Sequence, residues 1–114
     1  MFVLVDESLP RRLAGALADH ETRTVGQMGW LGRTNGDLLR SADAAGFSAF
    51  ITADRSLEYQ QNIPRFSLGV IVLLLPKTAP ELILPLAPQI MQALERIEPG
   101  RVIHIGTDTR RRRA

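Results

Sequence analysis

Cysteine is absent from the 114-residue chain, which excludes a disulfide framework, a thiolate metal site and a cysteine nucleophile. Histidine is scarce: His20 and His104 stand far apart, and they offer no histidine-rich zinc site. Long apolar runs are also missing. The best, 69–76 and 81–88, fall short of the ~20 apolar residues that span a bilayer. The opening Met1-Phe2-Val3-Leu4-Val5-Asp6 has no basic stretch before its apolar one, unlike a signal peptide. Cytoplasmic residence, away from any membrane, is the expectation. Nor is there a large charge of one sign. The formal net charge is +2, but four of the fourteen basic residues are the arginines at 110–113. Without them ten basic face twelve acidic groups, a net of −2 over residues 1–109. Composition therefore announces no basic nucleic-acid face on the body of the chain. Neither standard glycine-rich phosphate-loop spacing occurs. Ser8 has no histidine near it to build a nucleophile triad.

What remains is an ordinary globular composition, 45% apolar and 23% charged. It reads as one domain over residues 1–106 and a polar, arginine-rich tail over 107–114. Residues 2–5 form a short apolar, β-branched run and predict a buried strand. A helix follows, with Ser8 as its cap, Pro10 in its first turn and a Leu13, Ala14, Ala16, Leu17 stripe, ending near Asp19-His20. Residues 22–25 predict a second strand and 26–32 a glycine-containing loop that carries Trp30 and Leu31. Asn35-Gly36-Asp37 opens a second helix, with Leu38, Leu39, Ala42 and Ala45 on one face and Gly46 as its stop. Residues 49–53 predict a third strand, running into Asp54, and a short helix or turn follows to Asn62. The unbroken apolar run 68–75 predicts a strand covered on both faces. A helix interrupted by Pro85 and Pro88 runs to about Ile97, and 101–105 predict the last strand. The alternation predicts an α/β fold, a mostly parallel central sheet of about five strands with helices on both faces. Right-handed crossovers would place its ligand site along the C-terminal strand edge.

That edge is where acids collect. Asp6 and Glu7 end the first strand, Asp54 follows the third, and Asp37 at the second helix start is placed to reach the same edge. Gathered carboxylates repel one another unless a cation joins them. A Mg²⁺ or Mn²⁺ ion resolves that conflict, because hard cations take oxygen ligands. It also activates water for phosphodiester hydrolysis. Competing readings are plainer: an acid after a strand caps helices and fills turns. Asp43 reads as solvated, His104 as structural and Trp30 as a cap on the core rather than a base platform. Arg11 and Arg12 lie just beyond the Asp6-Glu7 corner, and Arg55 follows Asp54; these three are candidate nucleic-acid contacts. The cluster at 110–113 is a second candidate contact of no sequence preference.

Three motifs carry a resemblance. The apolar strand with its Asp6-Glu7-Ser8-Leu9-Pro10 corner is similar to the opening of the small bacterial PIN-like proteins. Asn35-Gly36-Asp37-Leu38-Leu39 resembles their second helix start. Thr52-Ala53-Asp54-Arg55, followed by Leu57-Glu58-Tyr59-Gln60-Gln61-Asn62, resembles their third-strand motif. The likeness covers nearly all of residues 2–106. It implies a PIN-like fold and a Mg²⁺- or Mn²⁺-dependent nuclease acting on RNA, often the toxin of a toxin–antitoxin pair. A cognate antitoxin and a homodimer are the partners it implies. Carried over by position, Asp6, Asp37 and Asp54 are the catalytic and metal-binding residues, with Glu7 a further ligand. Ser8 replaces the usual Asn, and Ser56 stands where many members have a further Asp or Asn. Two other classes compete. One is a PIN-like interaction module without catalysis. The other is a receiver-type phosphoacceptor, which wants a lysine ending the fifth strand, whereas Lys77 is the lone lysine here.

Overall fold

The computed structural model describes residues 1–17 and 19–106. The arginine tail read from the sequence lies outside these residues. Five strands form the sheet: β1 (Phe2–Val5), β2 (Glu21–Thr24), β3 (Ala49–Thr52), β4 (Gly69–Leu74) and β5 (Val102–Gly106). All pair in parallel, in the order β2-β1-β3-β4-β5. The expected α/β architecture is present, and the sheet is parallel throughout.

Alternation along the strands divides the core between two faces. Val3, Val5, Ile51, Ile71 and Leu73 point to one face. There they meet Leu13 of α1 (Arg11–Ala16), Ile83 of α4 (Pro80–Ile83) and Ile90 and Leu94 of α5 (Ala87–Arg96). Leu4, Phe50, Val70 and Val72 point to the other face. They pack on Leu38, Leu39 and Ala42 of α2 (Asn35–Ala44) and on Leu57 of α3 (Leu57–Gln60). β4 is buried at every position, which accounts for its unbroken apolar sequence.

Connection hands are not uniform. β1 to β2 and β4 to β5 step across the sheet in opposite directions, yet α1, α4 and α5 cover the same face. The last connection therefore has the opposite hand to the first. The two connections between them, through α2 and α3 on the other face, share the hand of the first. The expectation of a single right-handed set, which ~98% of such crossovers follow, is corrected here by this difference between the first and last connections. The close approach at the end of this connection falls on Gly69: a Cβ there would meet Ile97 Cγ1 at 2.3 Å and the Glu98 carbonyl at 2.8 Å. The end of α5 thus lies directly on the start of β4.

Local boundaries differ in instructive ways. Pro10 is the N-cap of α1 and no side chain caps that helix. Ser8 is not the cap; its hydroxyl donates to Asp6. α1 stops at Ala16, short of the expected Asp19-His20. A 3-10 turn, Leu84–Leu86, occupies the break anticipated between α4 and α5. Asp43 is not merely solvated, since its Oδ1 accepts the Ser67 N–H at 3.1 Å and ties α2 to the approach to β4. Trp30 packs edge-on against Phe47, part-buried on the core.

Candidate active site

β1 and β3 are neighbours although β2 lies between them in sequence, so the strand order reverses there, where open α/β sheets open a crevice at the C-terminal strand ends. Asp6 directly follows β1. Its N–H donates to the Ile51 carbonyl at 2.9 Å, so the sheet still holds its backbone. The residue is 9% exposed, and neutral donors surround its carboxylate. Oδ1 accepts the Glu7 N–H at 2.8 Å, and Oδ2 accepts the Ser8 hydroxyl at 3.2 Å and the Thr52 hydroxyl at 2.7 Å.

Asp54 lies two residues beyond β3. Its Oδ1 accepts the Ser56 N–H at 3.0 Å and the Ser56 hydroxyl at 2.6 Å, and its Oδ2 accepts the Asn35 amide at 2.7 Å. The Ser56 hydroxyl is the main reason that this carboxyl sits below the ordinary carboxylate value. Partial burial opposes the shift, while the Asn35 amide and Ser56 N–H add to it. Thr52 joins the two acids. It is fully buried at the end of β3, its hydroxyl donates to Asp6 and it accepts the Asp54 N–H at 3.1 Å.

Both acids line a crevice of about 330 Å³ with Asn35, Arg33 and Thr78. Among the described residues neither carboxylate has a basic partner. Arg33 is occupied elsewhere, with its guanidinium donating to Ser41 Oγ at 2.6 Å and lying over the Trp30 ring. On the far side of the Asp6-Glu7 corner a second cleft, of about 500 Å³, is lined by Arg11, Thr24, Gln27 and Leu31 among others.

The other expected site residues fall as follows. Glu7 lines both clefts and is exposed, with no side-chain bond among the described residues. Asp37 is not brought to the acids. It is exposed on the first turn of α2, paired with Arg40, and that guanidinium together with the Thr34 contact lowers its pKa. Helix geometry explains the difference. Residues 35 and 37 are about 200° apart around a helix, so with Asn35 facing Asp54 the side chain two positions on turns away. Arg55 is turned to the sheet, where its guanidinium donates to the Leu75 carbonyl at 2.7 Å. Arg12 is exposed and lines neither cleft.

Among the described residues, no group of three or more Asp, Glu, His or Cys side chains is assembled to hold a metal ion. The pair Asp6 and Asp54 fits a sparser mode. Each carboxylate has about four lone-pair sites, of which three are used on each. Mg²⁺ commonly takes one or two carboxylates and keeps water for the rest. Two residues that hold these carboxylates, Thr52 behind the crevice and Asn35 on its lining, stand in the motifs read from the sequence but received no role at the site there. Thr52 had a signal: a hydroxyl at the last position of an apolar strand, two residues before an acid. Asn35 had none beyond its place at a helix start.

Fold and site together define an open, all-parallel α/β sheet with an acidic crevice at its switch point. No protein-family model, curated protein or solved structure matches the chain.

Proposed function

We propose that the chain is a divalent-metal-dependent ribonuclease in which Asp6 and Asp54 together hold a single Mg²⁺ or Mn²⁺. The observation that carries this reading is the Thr52-linked acid pair, surrounded by neutral donors and lacking a cationic partner among the described residues. A protein that needed these acids only for structure would gain from pairing them with a base, since a buried charge is costly unless compensated. A bound cation supplies Lewis acidity and lowers the pKa of a coordinated water. The protein's own part is positional. Thr52, Ser8 and the Glu7 N–H fix the Asp6 carboxylate, while Ser56 and Asn35 fix that of Asp54. The crevice opens beside Thr78, which offers a hydroxyl to a substrate oxygen. The likeness of the Asp6 and Asp54 motifs to PIN-like toxins extends the proposal to a toxin with a cognate antitoxin. On the same grounds the chain forms a homodimer.

Asp6→Asn tests the metal site with little disturbance of the fold. Oδ1 keeps the Glu7 N–H, and the Ser8 and Thr52 hydroxyls rotate to accept from the new amide. Apo stability stays level or rises, as one of several gathered carboxylate charges is removed, while Mn²⁺ affinity in a calorimetric titration falls. Labelled RNA is cut by the wild type with Mg²⁺ or Mn²⁺ and not with chelator. Equal Mn²⁺ affinity in the two proteins would sink the assignment.

A phosphoacceptor reading has one observation in its favour: the strand order is that of receiver-type sheets, with an acid after β1 and β3. Lys77, however, is not among the residues lining the crevice. A stable mass increase of one phosphoryl group on incubation with acetyl phosphate, lost in Asp54→Asn, would favour it over the nuclease.

A further inference from the structure

An open sheet has two outer strands, here β2 and β5, and an unpaired strand edge is a template for another strand. The β2 edge is largely sealed. Glu21 and Val25 donate to the Met1 and Val5 carbonyls at 3.0 Å each, so Thr22 and Thr24, out of step with them, turn their backbone groups outward. The Thr24 N–H is taken by Gln27 Oε1 at 2.9 Å and its carbonyl by the Met28 N–H at 3.2 Å. The Thr22 carbonyl accepts from the Arg23 guanidinium at 3.2 Å. β5 is different. The Val70 N–H donates to the Arg101 carbonyl at 2.9 Å, and Val70 and Val72 stand opposite Val102 and His104. That register turns the backbone groups of residues 101, 103 and 105 to β4 and those of Val102, His104 and Gly106 outward. Among the described residues nothing pairs with the N–H and C=O groups of Val102 and His104.

The sequence of this edge says what fits it. Val102-Ile103-His104-Ile105-Gly106 reads the same in both directions over its three central residues. A second copy laid antiparallel and centred on His104 sets His104 opposite itself, Ile103 opposite Ile105 and Val102 opposite Gly106. His104 then exchanges both backbone bonds with its counterpart, and Val102 and Gly106 exchange theirs at either end. On the α5 face the half-buried Ile103 gains Ile105 of the copy as a β-branched cross-strand neighbour, and symmetry repeats the pair. On the other face Val102 is half-buried, and Gly106 opposite has no side chain to obstruct it. His104 is exposed and its Nε2 is bonded to Glu58, so each imidazole meeting at the centre brings its own carboxylate. The strand holds no Lys, Arg, Asp, Glu or Pro. It thus lacks the residues that blunt sheet edges, and it sets no like-charged side chains of those types across the seam.

We infer that the free edge of β5 is a self-pairing surface, through which two copies of the chain join antiparallel about His104 into one continuous sheet. The inference gives a surface to the homodimer proposed above but rests on strand geometry, not on the nuclease reading. Its test uses neither metal nor RNA, so the two fail separately. Sedimentation equilibrium of the full chain in chelator, over a concentration series, finds the wild type dimeric. His104→Pro removes the outward N–H at the centre and no bond of the β4 ladder, and proline is tolerated on an edge strand where the N–H faces away from the sheet. It weakens dimerisation about 30-fold, the loss of two net hydrogen bonds per dimer, with the far-UV circular dichroism unchanged. His104→Thr keeps the N–H and dimerises, which separates the backbone pairing from the imidazole–Glu58 bond. His104→Cys is a second measurement, independent of whether the proline variant folds, in a chain that has no other cysteine. Directly paired residues lie ~5.5 Å apart at Cα, within disulfide reach. Mild oxidation therefore cross-links His104→Cys faster than Leu31→Cys, a site 61% exposed and away from β5. A wild type monomeric throughout the series, which would leave the edge to an extended segment of another protein, overturns the inference. So does a folded His104→Pro that dimerises as tightly as the wild type, or equal cross-linking rates for the two cysteine variants.

Discussion

Thr52 connects the two acids through one buried hydroxyl, and its replacement separates packing from polarity. Thr52→Val preserves shape but removes both bonds, leaving the Asp54 N–H and one Asp6 lone pair without their partner. Chemical denaturation should show a loss of about 1–3 kcal/mol, the cost of unsatisfied buried polar groups, with the fold retained and Mn²⁺ affinity reduced. Ser56 acts on Asp54 alone. A carboxyl whose pKa is depressed on folding contributes stability above its unfolded value and loses it as pH falls through the folded value. For Asp54 the ordinary value is 3.8. Ser56→Ala removes the main cause of the depression, so the variant is less stable than the wild type at neutral pH. The gap closes as pH falls below that value, where both proteins carry the protonated acid. A gap that stayed constant from pH 7 to pH 2 would mean that Ser56 acts through packing or the start of α3 and not through the charge of Asp54. The same serine bears on the resemblance. An aspartate at 56 would set a second negative charge beside Asp54, whereas the hydroxyl stabilises the one already there.

At the scale of elements, the sequence made the strands and long helices legible because each carries its own period. β4 is apolar at every position and lies centrally between covered faces, and α2 and α5 show their buried stripes. The acids at the ends of β1 and β3 were legible for a related reason, since the apolar runs stop where the sheet meets solvent. What a one-dimensional reading could not supply was rotation. Asp37 lies two residues from a side chain that does reach Asp54, and only the roll of α2 decides which of the two faces inward. Thr34 helps to set that roll, because its hydroxyl accepts the Asp37 N–H at 3.2 Å as the helix cap. Thr34→Ala is expected to lose about 1 kcal/mol and, by loosening the first turn, to weaken the Asn35 contact with Asp54. Gly69 was equally opaque, because nothing local to a glycine in a strand says what crosses over it. Gly69→Ala drives a methyl group into Ile97 and the Glu98 carbonyl. Backbone cannot yield as a flexible side chain does, so the variant should be destabilised by about 1–3 kcal/mol in thermal or chemical denaturation. An unchanged midpoint would show that the end of α5 moves freely over β4.

Charge is a property of the whole molecule, and here it opposes the proposed substrate. Residues 1–109 carry a net of −2, and the crevice is lined by three carboxylates, Asp6, Glu7 and Asp54, without basic partners among the described residues, so an RNA phosphate approaching it meets repulsion until a metal ion and nearby arginines offset it. Of the three arginines expected at RNA, Arg11 lines a cleft beside the acids, Arg55 is tied to the Leu75 carbonyl and Arg12 lines neither cleft. The body therefore offers few cationic contacts. The densest positive charge in the sequence is the run of four arginines at 110–113. If each meets one phosphate of a single strand, counterion release gives a log–log salt slope of about −0.7 per contact, near −3 in total. Removing residues 110–114 should then flatten the salt dependence of RNA binding by that amount and weaken binding most at low salt. The cleavage rate at saturating RNA should hardly change, because contacts made equally in the ground and transition states alter affinity and not turnover. Filter binding of the full and shortened chains across a salt series measures the difference. Parallel lines would place the RNA contacts on the body, with Arg11 the first side chain to test.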